Sequence, residues 1–115
     1  DACARVLRRV ADGSLEATVN SAVVQEILYV LTRRGRRKEA LALARNVTAL
    51  FPNLLPVTCE DMREALRLLE GHPGLSVRDA VHAATMLRNG LRTVASVDSD
   101  FDQIPGIRRI APGSV

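Results

Sequence analysis

Apolar residues recur every three or four positions along most of this chain, interrupted by a few short runs of consecutive apolar residues. Cys3, Val6, Leu7 and Val10 share one helical face, and Arg5, Arg8 and Arg9 share the other, which predicts a helix over 1–12. Asp12-Gly13 closes it. Ala17-Thr18-Val19 reads as a short strand. Asn20 or Ser21 caps a second helix over 22–34, striped by Val23, Val24, Ile27, Leu28 and Leu31. Gly35 breaks that helix inside a basic run, Arg33-Arg34-Gly35-Arg36-Arg37-Lys38. A third helix runs on to about Leu50, where Phe51-Pro52-Asn53 stops it.

The second half repeats the alternation. Residues 54–57 predict a strand whose Pro56 argues for a sheet edge. Thr58 caps a helix over 59–70, and Gly71-His72-Pro73-Gly74 is a turn. A helix over 77–89 ends at Gly90. Residues 92–97 form the clearest strand in the chain, 98–103 a polar turn, and 107–110 a last short strand. Helices alternating with short apolar strands predict an α/β fold with a mainly parallel sheet. Ligands of such sheets bind off the carboxyl ends of the strands, which directs attention to the segment just after Val97.

Composition narrows this picture. At 115 residues the chain predicts one domain over 1–115, since two would each be too small to be stable alone. With no Trp, one Tyr and two Phe, aliphatic residues must fill the core, and aromatic stacking on bases is not a main binding device. Sixteen Lys and Arg against thirteen Asp and Glu give +3, nearly all of the cations being Arg, which favours a phosphate-bearing partner. Cys3 and Cys59 have no CxxC partner and read as small buried hydrophobes in a reducing compartment. Neither a signal peptide nor a membrane span is visible, so a cytoplasmic protein is expected.

The residues just after Val97 are Asp98-Ser99-Asp100-Phe101-Asp102. Carboxylates this close raise one another's pKa unless a cation neutralises them. Hard divalent cations prefer oxygen ligands, and one or two carboxylates with water suffice to hold them. The competing account is an Asx turn, in which Asp and Ser serve the backbone alone. Asp79 has its own competing account, because Ser76-Val77-Arg78-Asp79 matches a capping box. Yet a stripe of Val77, Ala80, Val81 and Ala84 opposite Asp79, His82 and Met86 predicts a largely buried helix, where an uncompensated Asp79 is costly. Glu26 lies at the margin of the apolar stripe of the second helix. A single His82 makes no zinc site and reads as a hydrogen-bonded structural histidine.

Together these residues resemble the PIN-domain nucleases, and within them the VapC-type toxins. The likeness is carried by Leu75-Ser76-Val77-Arg78-Asp79-Ala80-Val81-His82-Ala83-Ala84, by Gly90, by 93–107 with its Ser96-Val97-Asp98-Ser99-Asp100-Phe101, and by Pro112. Residues 20–28 are similar to a second family segment ending in Glu26. The resemblance implies a three-layer sandwich, a twisted and mainly parallel sheet flanked by helices. It implies a metal-dependent endoribonuclease using Mg²⁺ or Mn²⁺, with Glu26, Asp79 and Asp98 as acidic ligands, Asp100 as an auxiliary and Ser96 as the orienting hydroxyl. It also implies a homodimer and a cognate antitoxin protein that fills the acidic groove. RNA hydrolysis in this family is in line, with no covalent nucleophile, and Asp98→Asn is expected to abolish it without unfolding the chain.

One family feature is missing. The first acidic residue of the family ends an apolar strand, and no such strand precedes Asp1, so Asp1 is not a site residue. The native protein is therefore expected to have an upstream segment; a chain starting at Asp1 would lack a central strand and fold poorly. Two other readings compete: a helix–turn–helix nucleic-acid-binding module around Gly35, and a nucleotide-sugar enzyme using Asp98-Ser99-Asp100. The first leaves 96–101 unexplained, and no glycine-rich phosphate loop accompanies the second.

Overall fold

Side-chain caps set three of the helix starts in this protein, whose computed structural model describes residues 2–115; Asp1 lies outside the described residues. The order is α1 (Ala2–Ala11), α2 (Ser21–Arg33), α3 (Arg37–Leu50), α4 (Cys59–Gly71), α5 (Val77–Arg88), β1 (Thr93–Ala95), a 3-10 turn (Ser99–Gln103), β2 (Arg108–Ile110) and a second 3-10 turn (Pro112–Ser114). Asn20 caps α2 by accepting from the Val23 N–H, Thr58 caps α4 through Asp61 N–H, and Ser76 caps α5 through Asp79 N–H. At the other end of α5, Gly90 takes φ +71°, and Leu91 N–H returns to the Met86 carbonyl at 2.9 Å. That closure needs a left-handed residue, which is why glycine ends this helix.

The α/β expectation holds, with a smaller sheet than the apolar runs suggest. β1 and β2 pair in parallel, Thr93 opposite Arg108 and Ala95 opposite Ile110. The expected strands at 17–19 and 54–57 shrink to one parallel bridge between Asn20 and Leu55. Pro56 has no N–H to continue that ladder, and the Val57 N–H goes instead to the Ser21 hydroxyl at 3.1 Å. Among the described residues no hydrogen bonds join the bridge to the β1–β2 ladder. A cavity of about 490 Å³ lies beside the bridge, lined by Thr18, Phe51, Leu55 and Leu91 among others. β1 is correspondingly open: Thr93 and Ala95 are exposed, and Val97 beyond it is 84% exposed.

The core sits where α4 packs on α5. Ala65 and Leu68 of α4 meet Ala80, Ala83 and Ala84 of α5, with Leu75, Phe101 and Ile104 completing the cluster. Alanines let the two helices approach closely, so α5 is gripped along most of its length. α2 and α3 form the other helix pair, with Ala40, Ala44 and Val47 buried at helical spacing.

The α2 stripe is half-buried, and no α2 residue is fully enclosed. Two expectations need correction. Val77, placed in the buried stripe of α5, is 64% exposed at the first position of the helix. Cys3 and Cys59 are both exposed, each in the first turn of its helix and away from the packed face. No helix is long and apolar enough to cross a membrane.

Candidate metal centre

Three carboxylates from two elements converge. Asp79 comes from the first turn of α5, and Asp98 and Asp100 from the turn after β1; one oxygen from each lies within 4.8 Å of the others. Local chemistry fixes each in place. The Ser96 hydroxyl accepts from the Asp98 N–H at 3.0 Å, and Asp98 Oδ1 accepts from the Asp100 N–H at 2.9 Å. Phe101, buried in the core, anchors the turn from below. Arg109 of β2 pins it from the side, with two bonds to the Asp102 carboxylate at 3.0 and 3.1 Å and a third to the Ser96 carbonyl. The Asx turn is therefore real, and Asp102 is spent on Arg109. Asp98 and Asp100 keep carboxylate oxygens directed at Asp79.

Asp79 is 3% exposed. Its backbone N–H bonds the Ser76 hydroxyl at 3.1 Å, but the return bond that would complete the capping box is not made, and Asp79 Oδ2 is buried with no hydrogen-bond partner. A buried orphan of this kind requires an explanation. Burial, and then the neighbouring Asp98 carboxylate, push Asp79 up to about 6, against the lowering effect of Ser76; Asp100 adds to the rise. Asp98 is held below the usual carboxylate range, first by the Asp100 N–H, then by the proton of Asp79 and the charges of Arg78 and Arg109. Without a cation the pair shares a proton only below about pH 6, and at pH 7 its charges stand close together uncompensated. A hard divalent cation fits this all-oxygen donor set and would give Asp79 Oδ2 the partner it lacks.

Glu26 stands outside that trio. Its Oε1 takes Arg78 Nη1 at 2.6 Å, and its Oε2 lies 3.7 Å from His82 Nε2. Burial lowers the pKa of His82, so its ring is neutral at pH 7. The Asn20 amide nitrogen lies 3.0 Å from His82 Nδ1, and Asn20 Oδ1 is committed to capping α2. The amide must then donate, which assigns the ring proton to Nε2, facing Glu26. So His82 is a structural histidine, as its solitary position suggests. Asn20, Arg78 and Arg109 were not singled out in the sequence for these roles. Asn20 showed only as a cap, and nothing local marked the other two, whose partners lie far along the chain or across the turn.

Beside Glu26 opens a cleft of about 540 Å³ lined by Gln25, Tyr29, Met62, Arg78 and Val81 among others. The basic run at the α2–α3 junction is partly engaged: Arg33 lies over the Tyr29 ring and Arg36 pairs with Glu39. Nothing in that geometry favours the helix–turn–helix alternative.

Three carboxylates that converge from the turn after β1 and the first turn of α5 make an oxygen donor set for a divalent ion, and the comparisons say which family builds it here. The family model described as PIN domain matches residues 1–107, and the chain belongs to that family. Among curated proteins it is similar to several from Mycobacterium tuberculosis. It is 30% identical over 116 residues to ribonuclease VapC7, covering 97% of this chain and 78% of the relative. It is 29% identical over 107 residues to ribonuclease VapC13, covering 93% and 82%. VapC ribonuclease Mb1869c of Mycobacterium bovis matches at 29% over the same length. No solved structure gives a significant match.

Proposed function

We propose that this chain is a Mg²⁺- or Mn²⁺-dependent endoribonuclease, the toxin of a VapBC-type pair, built as one PIN domain over 1–115 and acting in the cytoplasm. The observation that carries the reading is the buried, unpartnered Asp79 Oδ2 at the meeting point of three carboxylates. Family membership and the ribonuclease names of the relatives support it. Asp79, Asp98 and Asp100 would hold the cation, with Glu26 as a further acidic ligand. An ion bound there would supply a water of lowered pKa and offset charge on the phosphoryl oxygens.

The remaining residues position and tune. Ser96 holds Asp98 by its backbone, Arg109 braces the turn, and Asn20 fixes the His82 ring. The substrate class is single-stranded or loop RNA, whose flexible backbone can reach a shallow site. The exposed basic run from Arg33 to Lys38 and Arg8 suit its phosphates; Arg9 is tied to the Val115 carbonyl at 2.8 Å. A homodimer and an antitoxin protein complete the assembly.

Cleavage of single-stranded RNA by the purified protein tests this reading. Activity should appear with Mg²⁺ or Mn²⁺, vanish with EDTA and be absent in Asp98→Asn with its helical circular dichroism unchanged. Full activity of Asp98→Asn would overturn the assignment.

A further inference from the structure

Two residues of α5 one helical turn apart meet Glu26, and only Arg78 bonds it, while the neutral His82 ring faces it at 3.7 Å. His82 is fixed: its Nδ1 takes the Asn20 amide, its ring is largely enclosed, and its Nε2 proton faces Glu26 Oε2. Arg78 is loose: its side chain is 57% exposed, and its hydrogen bond is the one to Glu26 Oε1. An exposed ion pair of this kind holds weakly. Its position is not peripheral, however. Arg78 directly precedes Asp79, and its charge also reaches Asp98. The guanidinium therefore bonds Glu26 while its charge is also felt within the trio of converging carboxylates, satisfying with a +1 group an acid that a divalent ion would otherwise draw in.

Resting on the metal-centre reading above, we propose that Arg78 is an internal competitor for the Glu26 carboxylate, and that Glu26 joins the metal site only by giving up this ion pair. His82 makes the exchange local. It keeps its N–H towards Oε2 while Oε1 changes partner, so Glu26 turns without leaving its place on α2. A dication backed by three more carboxylates outcompetes one solvent-screened guanidinium, so the latch opens at sufficient metal and stays closed when metal is scarce. Arg78 acts here through Glu26 and is a positioning residue.

Mn²⁺ affinity, measured by electron paramagnetic resonance in the absence of RNA, separates this role from simple charge repulsion. The four proteins are the wild type, R78Q, E26Q and the double variant E26Q/R78Q. Removing Arg78 should tighten Mn²⁺ about fivefold or more when Glu26 is present, and less than about twofold in the E26Q background, a coupling expected only of directly interacting groups. R78K, which restores a cation able to pair with Glu26, should return affinity close to wild type. Equal tightening in both backgrounds would overturn the proposal, because Arg78 would then act through its charge alone. Mn²⁺ binding that is unaffected by D79N and D98N would instead overturn the metal-centre reading itself.

Discussion

Two aspartates of this chain occupy the same position in the same motif and meet opposite fates. Asp61 and Asp79 are each the third residue of their helices, preceded by Thr58 and Ser76 as caps, and they are 2% and 3% exposed. Asp61 is fully used. It completes the capping box by accepting from the Thr58 N–H at 2.9 Å, and Arg88 of α5 reaches it at 3.0 Å. Asp79 receives half of that arrangement, and one of its oxygens is left without a partner. The motif identifies a helix start in both cases. Only the unspent oxygen identifies a site, because a buried carboxylate that builds structure is satisfied and one kept for a ligand is not.

Activity should separate the two most sharply. Asp79→Asn should lower metal-dependent RNA cleavage by about a thousandfold or more, since it removes a direct holder of the ion that stabilises developing charge. Asp61→Asn should leave cleavage by the folded protein near the wild-type rate. Comparable losses in both, measured on folded samples, would erase the distinction.

Stability should invert the order. In urea unfolding without metal, Asp61→Ala should cost about 2–3 kcal/mol, combining a lost capping box with a broken, partly solvent-screened ion pair. Asp79→Asn should gain about 1 kcal/mol at pH 7, because a neutral amide replaces a charge kept in a poorly solvated place beside two others.

The pH dependence has its origin in the same asymmetry. Asp79 is raised to about 6 from an ordinary 3.8, so between those values the folded state keeps a proton that the unfolded chain has lost. Its contribution is therefore fully present at low pH, and metal-free stability should fall as pH rises from about 4 to about 6, by an amount of the order of 2 kcal/mol. Asp98, shifted the other way, acts only below that window. Thermal unfolding across this range checks the slope; it should disappear in Asp79→Asn and flatten when Mg²⁺ is added.

The smallest effect belongs to the hydroxyls. Ser76→Ala and Thr58→Ala each lose a cap and should each cost about 1 kcal/mol. Only Ser76→Ala should also weaken Mn²⁺ binding, because the Ser76 bond helps to orient Asp79. Isothermal titration with Mn²⁺ makes that comparison.

The sequence shows most of what is local. Asn20, Thr58 and Ser76 mark helix starts, Gly90 marks a helix end, and Ala80 and Ala84 of the apolar stripe mark the buried side of α5, although Val77 of that stripe is exposed. Asp79 and Asp98 could be singled out because each is costly in its own surroundings. The rest depends on partners distant in the chain. Residues 17–19 and 54–57 read as strands from their composition, yet a strand needs a continuous neighbour, and Pro56 ends the pairing at one bridge. The Glu26–Arg78 pair joins residues 52 positions apart, and no local pattern announces it. The cysteines misled because each lies near the start of its helix on a side that no neighbour covers.

Diffraction from Mn²⁺-soaked crystals, collected at the manganese absorption edge, tests the central claim most directly. An anomalous peak should lie among Asp79, Asp98 and Asp100, about 2.1 Å from Asp79 Oδ2, the distance a small hard dication takes to a carboxylate. A fully soaked crystal with no peak there, and Asp79 Oδ2 still without a partner, would contradict it.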